Sequence, residues 1–283
     1  MKLLQIPDGL KRKALKIADE TGDALIYCES CYGACDLAIN EAKILGCEKI
    51  IHFGHSKIIE TDLPVEYKEI RENVKLSLEK IKIKEKRIGL ISTLQFLDCL
   101  KPLKEFLEAQ GKIVKIGKGK GYDGQILGCD ITCAKNIENL VDAFLFVGSG
   151  NFHPLGLALK TEKPVYFFNL EKNKLEDLKT LKVKFLKQRY AAIALVKDAK
   201  KFGILVSVKP GQLNLELAKQ IKKKLEEKGK KAYILVLNEI KPEKLEGLDL
   251  DCYINTACPR IAIDNRLEFK KPILNPDEIE SFI

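Results

Sequence analysis

Apolar residues in this chain come in short runs closed by turns rich in glycine, serine or proline, and most runs are followed by a segment with one apolar face. That alternation predicts strands covered on both sides and joined by helices. Leu10, Ala14, Leu15 and Ile17 share a helical face as far as Glu20, and Thr21-Gly22-Asp23 breaks the helix. A strand over 24–28, a cysteine-rich turn, a helix from 37 to about 45 and strands over 49–53 and 65–70 complete a first unit. A second has strands over 87–91, 113–116, 143–147 and 164–168, a helix ending near 110 and another over 134–140. Within it, Gly117-Lys-Gly-Lys-Gly121 lacks the spacing and the Ser/Thr of a phosphate loop and reads as flexible, and the 143–147 strand runs into Gly148-Ser-Gly-Asn-Phe-His-Pro154. A Lys-rich helix over 175–200 leads to strands over 202–206, 232–237, 252–255 and 272–274, with a helix over 213–228.

The units repeat one another. Lys86-Arg-Ile-Gly-Leu-Ile-Ser92 matches Lys201-Phe-Gly-Ile-Leu-Val-Ser207, and each leads through a helix to a Gly-Lys pair. Cys35 stands 19 residues before Gly54 (54 − 35), and Cys129 stands 19 before Gly148 (148 − 129), with the hydrophobic phase kept. Such self-similarity implies duplicated βαβ units. The expected fold is α/β: three similar Rossmann-like domains over 1–85, 86–200 and 201–283, each with a small parallel sheet, in a pseudo-threefold arrangement.

Composition narrows the chemistry. With 283 residues, 46% hydrophobic, the chain can bury several small cores. No apolar run has membrane-spanning length, and nine cysteines without a secretory signal indicate a reducing cytoplasm rather than a disulfide framework. The net charge of +9 is dispersed, with Lys and Glu mixed on helical stretches such as 222–231, which argues for solvated faces and against direct nucleic-acid binding.

Thiols therefore read as metal ligands or core. The repeat makes Cys35 and Cys129 equivalent, each before an aspartate, and Cys258 follows a strand in the third unit. One thiolate from each of three domains would hold three irons of a 4Fe–4S cluster and leave the fourth open. The local rival is Cys28-x2-Cys31-x3-Cys35, and all of these could equally be buried apolar residues; Cys47, Cys99, Cys133 and Cys252 read as core.

Six segments carry a resemblance over nearly the whole chain: Ile6-Pro-Asp-Gly-Leu-Lys, Cys31-Tyr-Gly-Ala-Cys-Asp-Leu37, Ile126-Leu-Gly-Cys-Asp130, Phe146-Val-Gly-Ser-Gly-Asn-Phe-His-Pro154, the 202–212 stretch ending Val-Lys-Pro-Gly-Gln212, and Ala257-Cys-Pro-Arg-Ile-Ala-Ile-Asp264. Together they resemble the archaeal 2-(3-amino-3-carboxypropyl)histidine synthases of diphthamide biosynthesis. The resemblance implies a 4Fe–4S cluster on Cys35, Cys129 and Cys258, with S-adenosylmethionine on the open iron. One electron then breaks the sulfur–Cγ bond, and the 3-amino-3-carboxypropyl radical adds to a histidine of translation elongation factor 2. It also implies a homodimer and an external electron donor. Arg260 would meet the substrate carboxylate or else form a structural ion pair, and Gln212 would meet the amino-acid moiety or else cap a helix. Gly148 and Gly150 would admit a ligand close to the backbone, and His153 and Asp264 complete the candidates. Ser149 and Asn151 stand where the family has an acidic residue and an arginine. Two other readings lie beside this one: a quinolinate-synthase-like cluster enzyme, and a basic RNA- or ribosome-binding protein whose cysteines are core.

Overall fold

The computed structural model describes residues 1–280. The chain divides into two compact units, Met1–Val183 and Lys184–Ile283. The first unit contains two sheets. One is built from β1 (Lys2–Gln5), β2 (Ala24–Tyr27), β3 (Lys49–Phe53) and β4 (Val65–Lys68), in the order β2-β1-β3-β4 and parallel throughout. The other has β5 (Arg87–Ser92), β6 (Ile113–Lys115), β7 (Ala143–Gly148), β8 (Val165–Asn169) and β9 (Lys174–Asp177), in the order β6-β5-β7-β8-β9. Only β9 in that sheet runs antiparallel. The second unit holds β10 (Lys201–Ser207), β11 (Lys231–Leu237), β12 (Cys252–Asn255) and β13 (Ile273–Leu274), parallel in the order β11-β10-β12-β13. Each sheet thus has its first strand inside, its second on one side and its third on the other.

Strand alternation divides each core in two. On β7, Leu145 and Val147 pack with Leu100, Leu103 and Leu107 of α3 (Leu100–Ala109). Phe144 and Phe146 face the opposite side, against Cys133 and Ala134 of α4 (Thr132–Lys135) and Leu157 and Ala158 of α5 (Phe152–Leu159). In the first sheet Leu3 and Ile50 face α2 (Ile39–Ile44), and Leu4 and Ile51 face α1 (Ala14–Thr21). In the second unit Phe202, Ile204 and Val206 pack on α7 (Leu215–Glu227), and Leu205 on the layer that includes Ala262 of α8 (Arg260–Ile263). Among the described residues no helix is long and apolar enough to cross a membrane.

Several local expectations are revised. β1 is an inner strand although only four residues long. The helix expected from 175 starts as β9, and α6 (Lys179–Val196) begins after it. Residues 152–159, to which the sequence reading assigns no element, form α5. The segment over 134–140 is broken between α4 and a separate 3-10 turn, Glu138–Leu140. Gly117 itself is buried, and a side chain there would run into the Cys133 carbonyl, while Lys118, Lys120 and Gly121 are exposed.

In the second unit the polar centre is Arg189 of α6, 4% exposed. Its Nη1 donates to the Ala262 carbonyl and its Nη2 to that of Ile273, both at 2.8 Å, and the guanidinium grips Glu278 through two bonds of 2.5 Å. Arg189→Ala would leave a carboxylate and two carbonyls unsatisfied in the interior. The expected loss is about 3–5 kcal/mol, read from guanidinium unfolding followed by circular dichroism. An unchanged midpoint would remove Arg189 from the framework of this unit.

Candidate active site

In parallel α/β sheets, ligands meet the loops at the carboxyl ends of the strands. The two repeat-selected cysteines and Cys258 all lie there, though not after the same strand. Cys35 lies beyond β2 and Cys129 beyond β6, the corresponding outer strands of their sheets; Cys258 lies beyond β12, on the other side of its inner strand. The third unit therefore delivers its thiol from a different loop of the same scaffold.

Each loop is held by hydrogen bonds. After β2, Asp36 N donates to Gly33 O at 3.0 Å, and the buried Gln5 amide donates to the Asp36 carbonyl. Around Cys129, Leu127 and Asp130 exchange two backbone bonds of 3.1 Å, and Lys160 Nζ donates to Cys129 O at 3.0 Å. Burial opposes charge on Asp130, but Lys120 and Thr132 outweigh it and hold the carboxyl below its ordinary range. The Cys258 loop is tied by Asn255 Nδ2 donating to Cys258 O at 2.9 Å and by Thr256 Oγ1 donating to Leu205 O at 2.8 Å.

Burial divides the nine cysteines into three groups. Cys28 is exposed; Cys31, Cys47, Cys99, Cys133 and Cys252 are buried; Cys35, Cys129 and Cys258 are intermediate. A thiol that meets a bound group at a sheet edge should be neither fully solvated nor sealed. Burial pushes the thiols of Cys133 and Cys252 up to about 12, and raises that of Cys99. These are protonated core residues.

The other candidates have structural roles on view. Arg260 opens α8 and donates through Nε to Asp264 Oδ2 at 2.8 Å, joining two predicted site residues in one half-exposed pair. Gln212 is buried in the loop after β10, its backbone N–H bonded to Lys209 O at 2.9 Å. A side chain on Gly148 would meet the Phe146 ring at 2.8 Å, while Gly150 takes a left-handed φ of +67° in the turn before α5. His153 stacks on Phe146, centroids 6.4 Å apart.

Sequence reasoning missed a buried polar group behind the Cys35 loop. His52, fully buried on β3, has Nδ1 3.1 Å from Gln5 Oε1 and Nε2 3.0 Å from Nδ1 of His55. The signal was present, because His52 and His55 are two of only three histidines and lie either side of Gly54. In the same region Gln125 Nε2 donates to Ser56 Oγ at 2.9 Å, joining the loops beyond β3 and β6.

Comparison with known proteins supplies a family. A family model described as "Putative diphthamide synthesis protein" matches residues 6–283. The chain is 38% identical to the 2-(3-amino-3-carboxypropyl)histidine synthase of Pyrococcus horikoshii over 98% of its own length and 84% of the relative's. It is 30% identical to the protein of the same name from Methanocaldococcus jannaschii, over 99% and 84%. Two crystal structures of Dph2 from Pyrococcus horikoshii, one of them with a 4Fe-4S cluster, superpose with TM-scores of 0.91 at 37% identity, covering 99% of this chain and 85% of theirs.

The buried histidines set a pH dependence. Desolvation, then the neighbouring His55, lowers His52 from 6.5 to about 3, and burial also lowers His55. Unfolded, both take up protons below 6.5, whereas in the folded protein each does so only at lower pH. The stability associated with the neutral imidazoles is therefore complete above 6.5 and is lost as the pH falls below it, for His52 down to about 3. For His52 the slope is about 1.4 kcal/mol per pH unit. Urea midpoints from about pH 7 to about pH 5 should fall more steeply for wild type than for the His52→Phe, His55→Ser variant. Equal slopes would mean that the imidazoles titrate as solvated groups.

Proposed function

The chain belongs to the diphthamide synthesis protein family, and on that premise we propose that it transfers the 3-amino-3-carboxypropyl group of S-adenosylmethionine to a histidine carbon of translation elongation factor 2. One observation carries the reading. The cysteines of half-buried character are Cys35, Cys129 and Cys258, each beyond the carboxyl end of a parallel strand and each in a different sheet. Three thiols of this character fit a 4Fe–4S cluster with one iron left to substrate, while the buried thiols raised by desolvation do not.

In this reading Cys35, Cys129 and Cys258 would hold the cluster. When bound, it supplies an iron site for S-adenosylmethionine and the electron that breaks one sulfur–carbon bond. The remaining residues choose which bond is presented. Arg260 offers a planar guanidinium to the α-carboxylate, and Asp264 keeps it aligned before substrate arrives. Gln212 offers its amide to the amino-acid moiety. Gly148 and Gly150 keep the neighbouring loop free of side chains, and His153, stacked on Phe146, shapes the same loop. Methylthioadenosine departs, and the acceptor carbon takes the transferred group while its hydrogen leaves as a proton and one electron is given back, so the transfer consumes no net electron. Elongation factor 2, an electron donor and a second copy of the chain are the partners of this reaction, which would take place in the cytoplasm.

Anaerobic reconstitution tests it. Wild type should bind about four irons per chain and, with dithionite, S-adenosylmethionine and elongation factor 2, yield methylthioadenosine and a heavier factor. Cys35→Ala, Cys129→Ala and Cys258→Ala should each lose the cluster, whereas Cys28→Ala should keep it. Arg260→Lys should keep the iron and raise KM for S-adenosylmethionine by roughly ten- to a hundredfold, as expected for a lost charge-assisted bond. Full iron in any of the three alanine variants, or none in wild type, would overturn the assignment.

A further inference from the structure

Cys31, His52 and His55 form a second cluster of ligand-type side chains, outside the set assigned above. One ligand-capable atom from each lies within 4.8 Å of the other two. Cys31 is 5% exposed and His52 fully buried.

The hydrogen bonds around His52 have one consistent direction. Ala38 N–H donates to Gln5 Oε1 at 3.4 Å, and Gln5 Nε2 donates to the Asp36 carbonyl, so the amide cannot be reversed. Nδ1 of His52 must then carry the hydrogen that meets Gln5 Oε1, which leaves the lone pair on Nε2. Histidines that bind metals show this pattern, with the distal N–H given to a carbonyl and the other nitrogen turned to the ion. Nε2 of His52 points at Nδ1 of His55, 3.0 Å away.

The second repeat serves as an internal control. Moving 94 positions along the chain (129 − 35) carries Cys31 to Gln125, His52 to Phe146 and His55 to Ser149. The strand pairing agrees, since Gln5 sits opposite His52 as Ile91 sits opposite Phe146. The same βαβ unit therefore folds around an apolar Ile–Phe pair, and architecture does not require the Cys–His–His set.

We propose that Cys31, His52 and His55 bind a transition-metal dication of the Zn2+ class, separately from the cysteines at the sheet edges. One soft sulfur and two imidazole nitrogens suit such an ion. Tetrahedral bond lengths put the nitrogens about 3.3 Å apart and the sulfur about 3.6 Å from each, so the imidazoles move by a few tenths of an ångström and Cys31, within 4.8 Å of both, closes by about 1.2 Å at most. The ion takes the place of the hydrogen between the two rings, which moves to the other nitrogen of His55. The Cys31 thiol gives up its proton, so one H+ is released per metal bound. The metal would pin the Cys31–Cys35 loop to the end of β3.

The test is built to be independent of the cluster reading. The full-length Cys35→Ser, Cys129→Ser, Cys258→Ser variant is titrated with Co2+ and then Zn2+, with folding checked by circular dichroism. Wild type holding its cluster is assayed for zinc and iron. The expected result is one Co2+ per chain with a thiolate-to-cobalt charge-transfer band, displaced by Zn2+, and about one zinc in the iron-loaded protein. Adding Cys31→Ser removes the band, His55→Ser removes stoichiometric binding, and Gln5→Met weakens it by roughly ten- to a hundredfold. If Cys31→Ser does not fold, His55→Ser in the half-buried position gives the same decision. No metal at micromolar concentration, or binding that survives both substitutions, overturns the proposal. So does loss of iron from Cys31→Ser with zinc unaffected, which would make Cys31 a cluster ligand. Iron in wild type is read separately, so failure of this site and failure of the proposed function give different results.

Discussion

Parallel strands cannot be joined by a tight turn, and every connection has to cross back over a face of the sheet. In this chain the inner strands β1, β5 and β10 pair in parallel on both sides, and most of the remaining design follows. The crossovers cover both faces, so the strands are apolar on both and polar residues have little place along them. β7 is buried at every position. Polar chemistry is left to the carboxyl ends, where loops of unequal length emerge side by side. Cys35, Cys129 and Cys258 are found there, beyond β2, β6 and β12.

What could be read from the sequence follows from the same constraint. Buried parallel strands are continuous apolar runs, and most were legible, as was the 19-residue interval that makes Cys35 and Cys129 equivalent. β1 was not, because Lys2-Leu-Leu-Gln5 is too short to show a period and its burial comes from neighbours far along the chain. β9 lies inside a Lys-rich stretch whose local composition favours a helix, and pairing with β8 overrides that preference. Helix α5 was hidden by Gly148, Gly150 and Pro154, which mark a turn in isolation but here precede and open a helix. Arg260 and Asp264 were singled out separately, and only the fold shows them as a pair.

Choosing among nine cysteines needed quantities that spacing does not contain. A thiol deep in a sheet layer is costly to ionise, as the raised Cys133 and Cys252 show, and a thiol in water has nothing to exclude competitors. The half-buried class between these limits is the one that a sheet edge creates. Cys35, Cys129 and Cys258 belong to this class, neither sealed nor fully exposed. Dispersed positive charge also has a local explanation, with Lys219, Lys222 and Lys223 of α7 each paired to a glutamate of the same helix.

The first and second repeats differ at one buried pair on the inner strands. Ile91 opposite Phe146 fills the interior with no desolvation cost, whereas Gln5 opposite His52 buries two polar groups in the equivalent place. Replacing such a hydrogen-bonded pair by apolar residues of similar shape is close to neutral for stability, so folding alone gives no preference for the polar version. The polar version does what the apolar one cannot. Through the Gln5 amide it connects the Asp36 carbonyl, next to Cys35, to an imidazole on β3 and then to His55. A displacement at either end breaks a hydrogen bond between buried groups, and the loop that carries Cys35 is thereby held relative to the sheet.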